Sequence, residues 1–444
     1  MRGVICRLLG LEWFLTGVAA PVLLFPTLRP AWTAAALGAL ALWWLLRWAL
    51  RREPWPLTPL NGALLPFALM IPVGIWASPA REVTFPDATR VLLGLITFRA
   101  VTLAAGSRRG MAPAVAVFCL FGIALIGVGI LGAQWSAKVP VLGELGQRIP
   151  RLITTIPEDQ GTPGVNPNHL AGALTLYLPL ALALVFGQRF SRRAIIGPLL
   201  GLLGSLLFLA LVAGTLLLTQ SRSGWIGGAA GVLALISLAG LTARDRWARL
   251  LGAALPILAV LAVAGAILYL GPQALGKSLF GKETASPVEE VVGSITLEGR
   301  VEIWSRAFYA IQDFPFTGCG LGAFRRVVPV LYPLFTVPPD TDIGHAHNVF
   351  LQTALDLGIP GLVAYLALLM TSLALCWRVA REGEGFVRAV ALGLAGGLIA
   401  LHTYGLTDAM ALGSKPAVAF WYALGLVGAL SQVSESSGKE DSIK

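Results

Sequence analysis

Long apolar stretches recur along this chain from one end to the other, and this feature limits its fold more than any other. A stretch of about 18 to 25 apolar residues is long enough, as a helix, to cross roughly 30 Å of hydrocarbon. A helix also satisfies its own backbone hydrogen bonds, as a chain surrounded by lipid requires. The sequence therefore predicts an all-α integral membrane protein with about twelve transmembrane helices. We place them at 11–28, 31–50, 60–77, 83–105, 111–133, 167–187, 194–219, 223–241, 250–271, 347–376, 386–407 and 412–431.

The composition and the charge fit a membrane protein. Hydrophobic residues make up 56% of the chain and charged residues 13%, whereas about a quarter of the residues in soluble domains are charged. A net charge of +10 is also found in nucleic-acid-binding proteins, but here the arginines stand in short clusters between alternate predicted helices. This arrangement indicates topology, so we expect no nucleic-acid partner.

The basic clusters orient the predicted helices. When the helices are threaded in order from a cytoplasmic N-terminus, every cluster falls on the cytoplasmic side, as the positive-inside rule requires. Both termini are then cytoplasmic, and the long loop 272–346 lies outside. Arg29 and Arg81, which stand singly, fall on the outer side, and so do Arg325 and Arg326 in the long loop. The clusters are Arg2 and Arg7; Arg47, Arg51 and Arg52; Arg108 and Arg109; Arg189, Arg192 and Arg193; Arg244, Arg246 and Arg249; Arg378 and Arg381; and Lys439 and Lys444.

The domain organisation follows from these assignments. We expect one membrane domain, 1–431, and a cytoplasmic tail, 432–444, whose serines and charges predict disorder. Within the outer loop, apolar residues recur at helical spacing between 297 and 313, which predicts an amphipathic helix on the membrane surface. These residues are Val301, Trp304, Phe308 and Ile311. The glycines that follow, Gly318, Gly320 and Gly322, predict a flexible turn, because no strand precedes them as in a nucleotide-binding loop.

Two arginines are candidate binding residues. Arg222 joins the seventh and eighth predicted helices, where a charge close to lipid is costly unless it pairs or serves a ligand. Snorkelling to lipid headgroups would explain it equally well. Arg300 begins the amphipathic segment and could bind phosphate through its fork of donors. It could also pair with Glu298 or Glu302 on a solvated face, so both interpretations stay open.

The chain has four histidines, and two of them stand at His345 and His347, where the long loop enters the tenth predicted helix. Imidazole there could act as a general base or, when charged, bind an anion. Zinc is the competing explanation, but a third ligand is missing from the motif and the nearby carboxylates are Asp340 and Asp342. We therefore expect catalysis, no metal and no cofactor.

Three further polar residues could support the site. Asn348 follows the two histidines, and His169 opens the sixth predicted helix just after Asn166. Asparagine there is expected to cap the helix, although the segment could also line the same cavity. Asp408 lies near the outer end of the eleventh predicted helix, where a carboxylate is unusual.

Several short motifs, taken together, resemble those of the O-antigen ligase and polymerase superfamily of bacterial cell-envelope proteins. The resemblance is strongest over about 205–375. The motifs, in order, are Ser221-Arg222-Ser223; Gly299-Arg300 with Trp304; Pro315-Phe316-Thr317-Gly318-Cys319-Gly320-Leu321-Gly322; His345-Ala346-His347-Asn348 with Leu351-Gln352; and Asp356-Leu357-Gly358-Ile359-Pro360-Gly361-Leu362.

The resemblance implies a GT-C-like membrane glycosyltransferase in the bacterial inner membrane, acting on the periplasmic face in lipopolysaccharide or other polysaccharide biosynthesis. Such an enzyme moves a glycan from an undecaprenyl diphosphate carrier to an acceptor hydroxyl, with inversion and without a metal. Two arginines and one histidine are essential in the family; they match Arg222, Arg300 and His347, with His345 as the alternative histidine. The implied partners are the lipid-linked donor, membrane lipids, and a lipid A core, glycan or protein acceptor.

The sequence leaves other functions open. A ligase, a repeat-unit polymerase and a protein O-oligosaccharyltransferase would share the residues that handle the donor diphosphate. A transporter or flippase is a different class, favoured by the charges Asp87, Arg90 and Arg99 inside the fourth predicted helix. Transporters usually bind their substrates near the middle of the membrane, whereas the candidate residues here gather at one face. A structural or assembly protein would leave that polar cluster unexplained.

Overall fold

The computed structural model describes residues 2–51, 55–135, 138–156, 164–187, 196–271, 274, 297–335 and 343–441. This part of the chain is mostly α-helical, and its β-type pairing is one isolated bridge between Ala133 and Val165. A short 3-10 helix, Lys415–Ala417, precedes the last helix. The α-helices are α1 (Arg2–Leu24), α2 (Pro30–Arg51), α3 (Asn61–Ala77), α4 (Arg81–Ala105), α5 (Arg108–Gly132), α6 (Pro140–Gln147), α7 (Pro167–Phe186), α8 (Ile196–Leu218), α9 (Arg222–Leu241), α10 (Arg246–Leu270), α11 (Leu297–Asp313), α12 (Phe324–Leu331), α13 (Val349–Glu382), α14 (Gly385–Tyr404) and α15 (Val418–Asp441).

The predicted membrane helices agree with this architecture. Ten helices in the described ranges are long and apolar enough to cross a membrane, and Glu12–Leu24 within α1 and the whole of α3 are shorter apolar helices. Each predicted span coincides with a helix, so the prediction of an all-α integral membrane protein is confirmed. The helix α13 has 34 residues and continues to Glu382, beyond the predicted end at 376; it has a kink at Gly358, where two helices are joined.

The centre of the bundle is formed by α7, α9 and α14, which contact one another. Small residues let their backbones approach closely: a Cβ added to Gly397 would lie 2.3 Å from the Leu176 carbonyl oxygen. One added to Gly231 would lie 2.7 Å from the Gly396 carbonyl oxygen. Close packing of this kind is a main source of helix association in lipid, where no hydrophobic effect operates between helices.

Charged side chains within the N-terminal helices pair with one another. The carboxylate of Glu12 in α1 is 1% exposed and accepts hydrogen bonds from Arg99 of α4 and, at 2.5 Å, from Arg47 of α2. The Arg99 guanidinium also lies 4.7 Å from the ring centre of Trp44. Because an unpaired charge in hydrocarbon is costly, these contacts tie α1 and α2 to α4.

The glycine-rich segment after α11 is packed, which corrects the expectation of a flexible turn. It lies against the kink of α13, where Gly358 has a φ of 70°. The Cys319 backbone N–H donates to the Leu355 carbonyl at 2.6 Å, and Gly318 has a φ of 67°. A Cβ on Gly318 would lie 2.5 Å from the same Leu355 oxygen, so only glycine fits both the conformation and the space.

The amphipathic helix predicted over 297–313 is present as α11. Ile303, Ala307 and Ala310 are fully buried, whereas Val301 is 54% exposed and Phe308 56%. Ile303, Ala307 and Ala310 face the bundle, and α11 contacts α13. Val301 and Phe308 stay on the exposed side, as suits a helix at a membrane surface.

The C-terminal helix extends beyond its predicted end. The helix α15 continues to Asp441, into the segment 432–444 that composition predicts to be disordered. Starting a helix is costly and extending one is cheap, so the buried beginning of α15 supports this extension.

Asp340 and Asp342, the carboxylates closest in sequence to the paired histidines, lie outside the described residues.

Candidate functional site

Most of the predicted site residues meet at one end of the bundle, which we name the site end. It is the end where α7, α9 and α13 begin and where α14 finishes. Hydrogen bonds join the end of α14 to the beginning of each of these helices, and so bring together segments that are far apart in the sequence. These bonds are Tyr404 Oη to the Asn168 carbonyl (2.9 Å), Thr407 Oγ1 to Ser223 Oγ (2.9 Å) and Val349 N–H to the Gly405 carbonyl (2.7 Å).

The segment His345–Asn348, which we name the histidine loop, is fixed at its C-terminal side by Asn348. The Asn348 side-chain oxygen accepts from the N–H groups of Phe350 and Leu351, each at 3.0 Å, and so caps α13. Its Nδ2 donates to the Leu406 carbonyl at 3.0 Å. Asn348 therefore ties the histidine loop to the turn that carries Asp408.

His347 and Asp408 form a buried pair. His347 Nδ1 lies 3.2 Å from Asp408 Oδ1, and Asp408 is 3% exposed. Burial alone would raise the pKa of Asp408, but the hydrogen bond from His347 and the neighbouring histidines hold it well below its usual range. The carboxylate is therefore ionised and accepts the Nδ1 proton of His347, which leaves the Nε2 lone pair as the basic position of the ring.

His345 has the opposite arrangement of donor and acceptor. Its Nδ1 accepts from the backbone N–H of His347 at 3.1 Å, so the hydrogen-bond network assigns the ring proton of neutral His345 to Nε2. That Nε2 lies 3.2 Å from His169 Nε2 and 3.9 Å from Asp408 Oδ1. Burial lowers the pKa of His345 well below its usual value, and the nearby His347 lowers it further. His345 is therefore a neutral hydrogen-bond donor.

The segment 166–169 caps the helix α7 and also contributes a residue to the site end. Asn166 caps α7, because its side-chain oxygen accepts from the Asn168 N–H at 2.8 Å, as expected from the sequence. His169 in the first turn of α7 lies against His345, with the ring centres 5.4 Å apart. The same segment thus supplies both a helix cap and a residue of the site.

Arg300 lies in α11 beside the site and is 8% exposed. Burial lowers the pKa of its guanidinium, and the negative charge of Asp408 opposes that shift. Glu302, one of the partners considered from the sequence, accepts from the Phe335 N–H at 2.7 Å. Trp304, one turn further along α11, donates from Nε1 to the Ala346 carbonyl at 3.0 Å and so holds the helix against the histidine loop.

Arg222 is the first residue of α9, at the positive end of that helix. Ser221 caps the helix by accepting from the Gly224 N–H at 3.3 Å. The next residue after Arg222, Ser223, bonds to Thr407, which directly precedes Asp408. The turn that carries Arg222 is thereby joined to the turn that carries Asp408.

The structure also supplies the third metal ligand that the sequence motif lacks. Ligand atoms of His345, His347 and Asp408 lie within 4.8 Å of one another. A histidine that binds a metal through one nitrogen usually donates a proton from the other, however, and His345 Nδ1 accepts one from the His347 backbone. A metal on His345 Nε2 would require the ring proton to be on Nδ1, where it would face the backbone N–H of His347. This arrangement therefore fits a metal poorly.

Sequence reasoning missed the residues that support the histidine loop. In the sequence Gln352 and Asp356 stand out only as parts of the motifs, yet both are buried: Gln352 accepts from the Ala346 N–H and donates to Asp356. The signal available was their polarity inside an apolar helix, at i and i+4 on one face. Trp304 was assigned to an apolar stripe, whereas its indole N–H carries a specific contact.

Comparison with known proteins supports the resemblance. No curated protein matches the chain. Residues 207–366 match the family model described as O-antigen ligase. The matched segment contains Arg222, Arg300, His345 and His347, which the geometry above gathers at the site end. This match supports membership of the chain, a multi-pass helical membrane protein, in the O-antigen ligase and polymerase superfamily.

Proposed function

We propose that this protein is a membrane glycosyltransferase that moves a glycan from an undecaprenyl diphosphate carrier to the hydroxyl of an acceptor glycan. It acts as an O-antigen ligase onto a lipid A core or as a polymerase of repeat units. Membership of the O-antigen ligase family supports glycosyl transfer from a lipid-linked donor in general. The observation that carries the mechanism is the His347–Asp408 pair, at 3.2 Å, with Arg300 buried beside it.

The reaction follows from the charges of the site. The acceptor oxygen attacks the anomeric carbon from the face opposite the leaving group, which inverts that carbon. The bond between the anomeric carbon and the phosphate oxygen breaks, and its electron pair leaves with the lipid diphosphate. Arg222 and Arg300 stabilise the developing negative charge, because guanidinium groups bind phosphate through paired donors and act strongly in a partly dehydrated site. This account needs no divalent metal.

His347 is the general base in this proposal. Its Nδ1 proton is directed at Asp408, so Nε2 takes the proton of the acceptor hydroxyl, and the ionised carboxylate stabilises the imidazolium that forms. His345 supports the site as a neutral donor, since its Nδ1 is occupied by the His347 N–H. His169 and Asn348 hold the two histidines in place.

The orientation of the protein in the membrane is part of the same proposal. The basic clusters favour cytoplasmic termini, which would set the site end on the periplasmic face of the inner membrane.

The charged residues that favour a transporter in the sequence are paired in the structure: Asp87 with Arg90 at 2.6 Å, and Arg99 with Glu12. Because such pairs explain charges inside a helix bundle, they supply no argument for transport.

The test is transfer by the purified protein in lipid, given a lipid-linked oligosaccharide together with water, a second lipid-linked unit, a lipid A core or a protein. Product on the lipid A core identifies a ligase, a lengthened lipid-linked glycan identifies a polymerase, and glycosylated protein identifies the O-oligosaccharyltransferase alternative. Alanine at Arg222, Arg300 or His347 should abolish product, and a strong chelator should leave it unchanged. Movement of intact donor across the bilayer without product would contradict the proposal and favour a flippase.

A further inference from the structure

The backbone of His347 has a conformation that side chains other than glycine rarely adopt. Its φ is 49°, in the left-handed region. Such a conformation costs about 1–2 kcal/mol for an L-residue, so it persists only where the surrounding structure imposes it. The neighbouring contacts therefore have to hold His347 in this shape.

The peptide groups before His347 supply that constraint. The Ala346 N–H donates to Gln352 Oε1 at 2.8 Å, and the Ala346 carbonyl accepts from Trp304 Nε1 at 3.0 Å. Ala346 is fully buried and Gln352 is 2% exposed. Since Trp304 belongs to α11 and Gln352 to α13, Ala346 is held from two helices at once.

Gln352 is itself fixed by a buried carboxylate. Its Nε2 donates to Asp356 Oδ1 at 2.8 Å, and the same oxygen accepts from the Gly322 N–H at 3.1 Å. Asp356 is 1% exposed. Because the Gln352 NH₂ group faces a carboxylate, its oxygen is directed at the Ala346 N–H, and the reversed amide would set donor against donor.

From this chain of contacts we infer that Gln352 and Asp356 are positioning residues for His347. They act through the Ala346 peptide and hold the His347 ring against Asp408 with Nε2 turned to the acceptor hydroxyl. The inference rests on the proposed function, since it requires His347 as the base. It also gives the glycine-rich segment a role, because Gly322 anchors the far end of the chain of contacts.

The substitution Gln352→Glu tests the inference through pH. A protonated Glu can donate to Asp356 and accept from Ala346, as the amide does, whereas an ionised Glu has no proton to donate to Asp356. Gln352 contacts Asp356 of α13 and follows the histidine loop that carries His345. The charged and titratable groups that interact with these two residues include Asp87 of α4, Cys319 of the glycine-rich segment and Arg325 of α12. Because position 352 is 2% exposed, burial disfavours the ionised form, and the new group is expected to titrate closer to neutral pH than an exposed Glu.

The expected result is a new pH dependence of kcat. Relative to the wild type, kcat of Gln352→Glu should fall at least about tenfold between pH 6 and pH 8, because a misplaced base loses rate steeply with distance. The KM for the lipid-linked donor should change less than about twofold, since the arginines that bind it are untouched. Gln352→Leu should lower kcat at both pH values. Gln312→Glu, on the exposed side of α11, is the matched control and should keep the wild-type profile.

Hydrogen exchange separates the positioning role from the reaction itself. In the purified, lipid-embedded protein, the amides of Ala346 and His347 should exchange faster in Gln352→Leu than in the wild type. If neither variant at position 352 yields monodisperse protein, Trp304→Phe removes only the donor to the Ala346 carbonyl, and it should lower kcat without changing KM.

The outcomes distinguish the two proposals. A wild-type protein that makes no glycan product overturns the proposed function, and the exchange rates then decide the positioning role alone. An active wild type whose Gln352→Glu variant has an unaltered pH profile overturns the positioning role. Unchanged exchange at Ala346 and His347 in the Leu variant overturns it as well.

Discussion

Among the charged residues that the structure describes, the cluster at Glu12 and the cluster at Asp408 are built in opposite ways. In the N-terminal cluster both oxygens of Glu12 are used: one accepts from Arg99, and the other accepts from Arg47 at 2.5 Å and from Trp43 Nε1 at 3.4 Å. At the site end, Asp408 holds His347 through Nδ1 only. Within the described part of the chain, nothing is hydrogen-bonded to His347 Nε2.

The difference shows how a membrane protein separates stability from chemistry. Each cluster takes charges out of water, which is favourable only where partners compensate the lost solvation. The Glu12 carboxylate is saturated by its neighbours and joins three helices. The His347 ring is fixed at one nitrogen and open at the other, which suits a general base. The first cluster should therefore affect unfolding, and the second should affect turnover.

The largest effect is expected for Asp408→Asn. The new amide would donate a proton to His347 Nδ1, so the ring proton would move to Nε2 and the base would be lost. By analogy with the aspartate of serine proteases, kcat should fall by up to about 10⁴-fold with the fold retained. Glycan transfer and thermal unfolding are measured together, with Asp313→Asn at the exposed end of α11 as the control. Near-normal transfer would show that Asp408 does not set the tautomer.

The second effect concerns the other cluster. Glu12→Ala leaves the buried Arg99 and the partly buried Arg47 without their common carboxylate, which should cost roughly 3–5 kcal/mol of unfolding free energy. Denaturation in lipid or detergent measures this loss. The kcat of the remaining folded protein should equal that of the wild type. A Glu12→Ala variant with a normal unfolding midpoint and a reduced kcat would contradict the assignment of stability to the Glu12 cluster and of turnover to the Asp408 cluster.

The parts of the structure that follow from chain-local patterns could be predicted from the sequence. Apolar runs gave the membrane helices, because a helix in lipid needs only length and apolar side chains. The spacing over 297–313 likewise gave α11. The expectation of a flexible glycine turn is wrong, because the close contact of Gly318 with the Leu355 carbonyl depends on a helix that lies further along the sequence.

The candidate site could be predicted only in part. Arg222, Arg300 and the histidines stood out as polar residues at the ends of apolar runs. The pairing of His347 with Asp408 could not be predicted, because it joins a loop residue to a turn residue 61 positions further along the sequence. The choice between His345 and His347 depends on one backbone N–H, that of His347, which no sequence pattern reveals.

A smaller effect is expected for Arg300→Lys, which sharpens the comparison by keeping the charge and removing the planar fork. If Arg300 binds a diphosphate through paired donors, kcat should fall by about 100-fold, because lysine acts as a point charge. Arg306→Lys is the matched control on the same helix, where the side chain lies over the rings of Tyr309 and Phe335. Equal activity of the two lysine variants would assign Arg300 a purely electrostatic role.

The smallest effect concerns the pH dependence of stability at the site end, measured by His345→Gln. The folded protein holds the pKa of His345 below its unfolded value of about 6.5, so the unfolded chain takes up a proton that the folded protein refuses. Stability should therefore fall as the pH decreases from about 7 to 5, by up to about 1.4 kcal/mol per pH unit from this group. Asp408 adds no slope there, because its lowered pKa keeps it ionised throughout.

The Gln variant removes this titration and keeps a polar side chain, so its unfolding midpoint should fall less steeply than that of the wild type over the same pH range. The N-terminal cluster offers the contrast, because Arg47→Leu should lower the midpoint equally at pH 7 and pH 5. Parallel curves for His345→Gln and the wild type would mean that His345 accepts a proton in the folded state. The assignment of His345 as the neutral donor, and of His347 as the base, would then have to be exchanged.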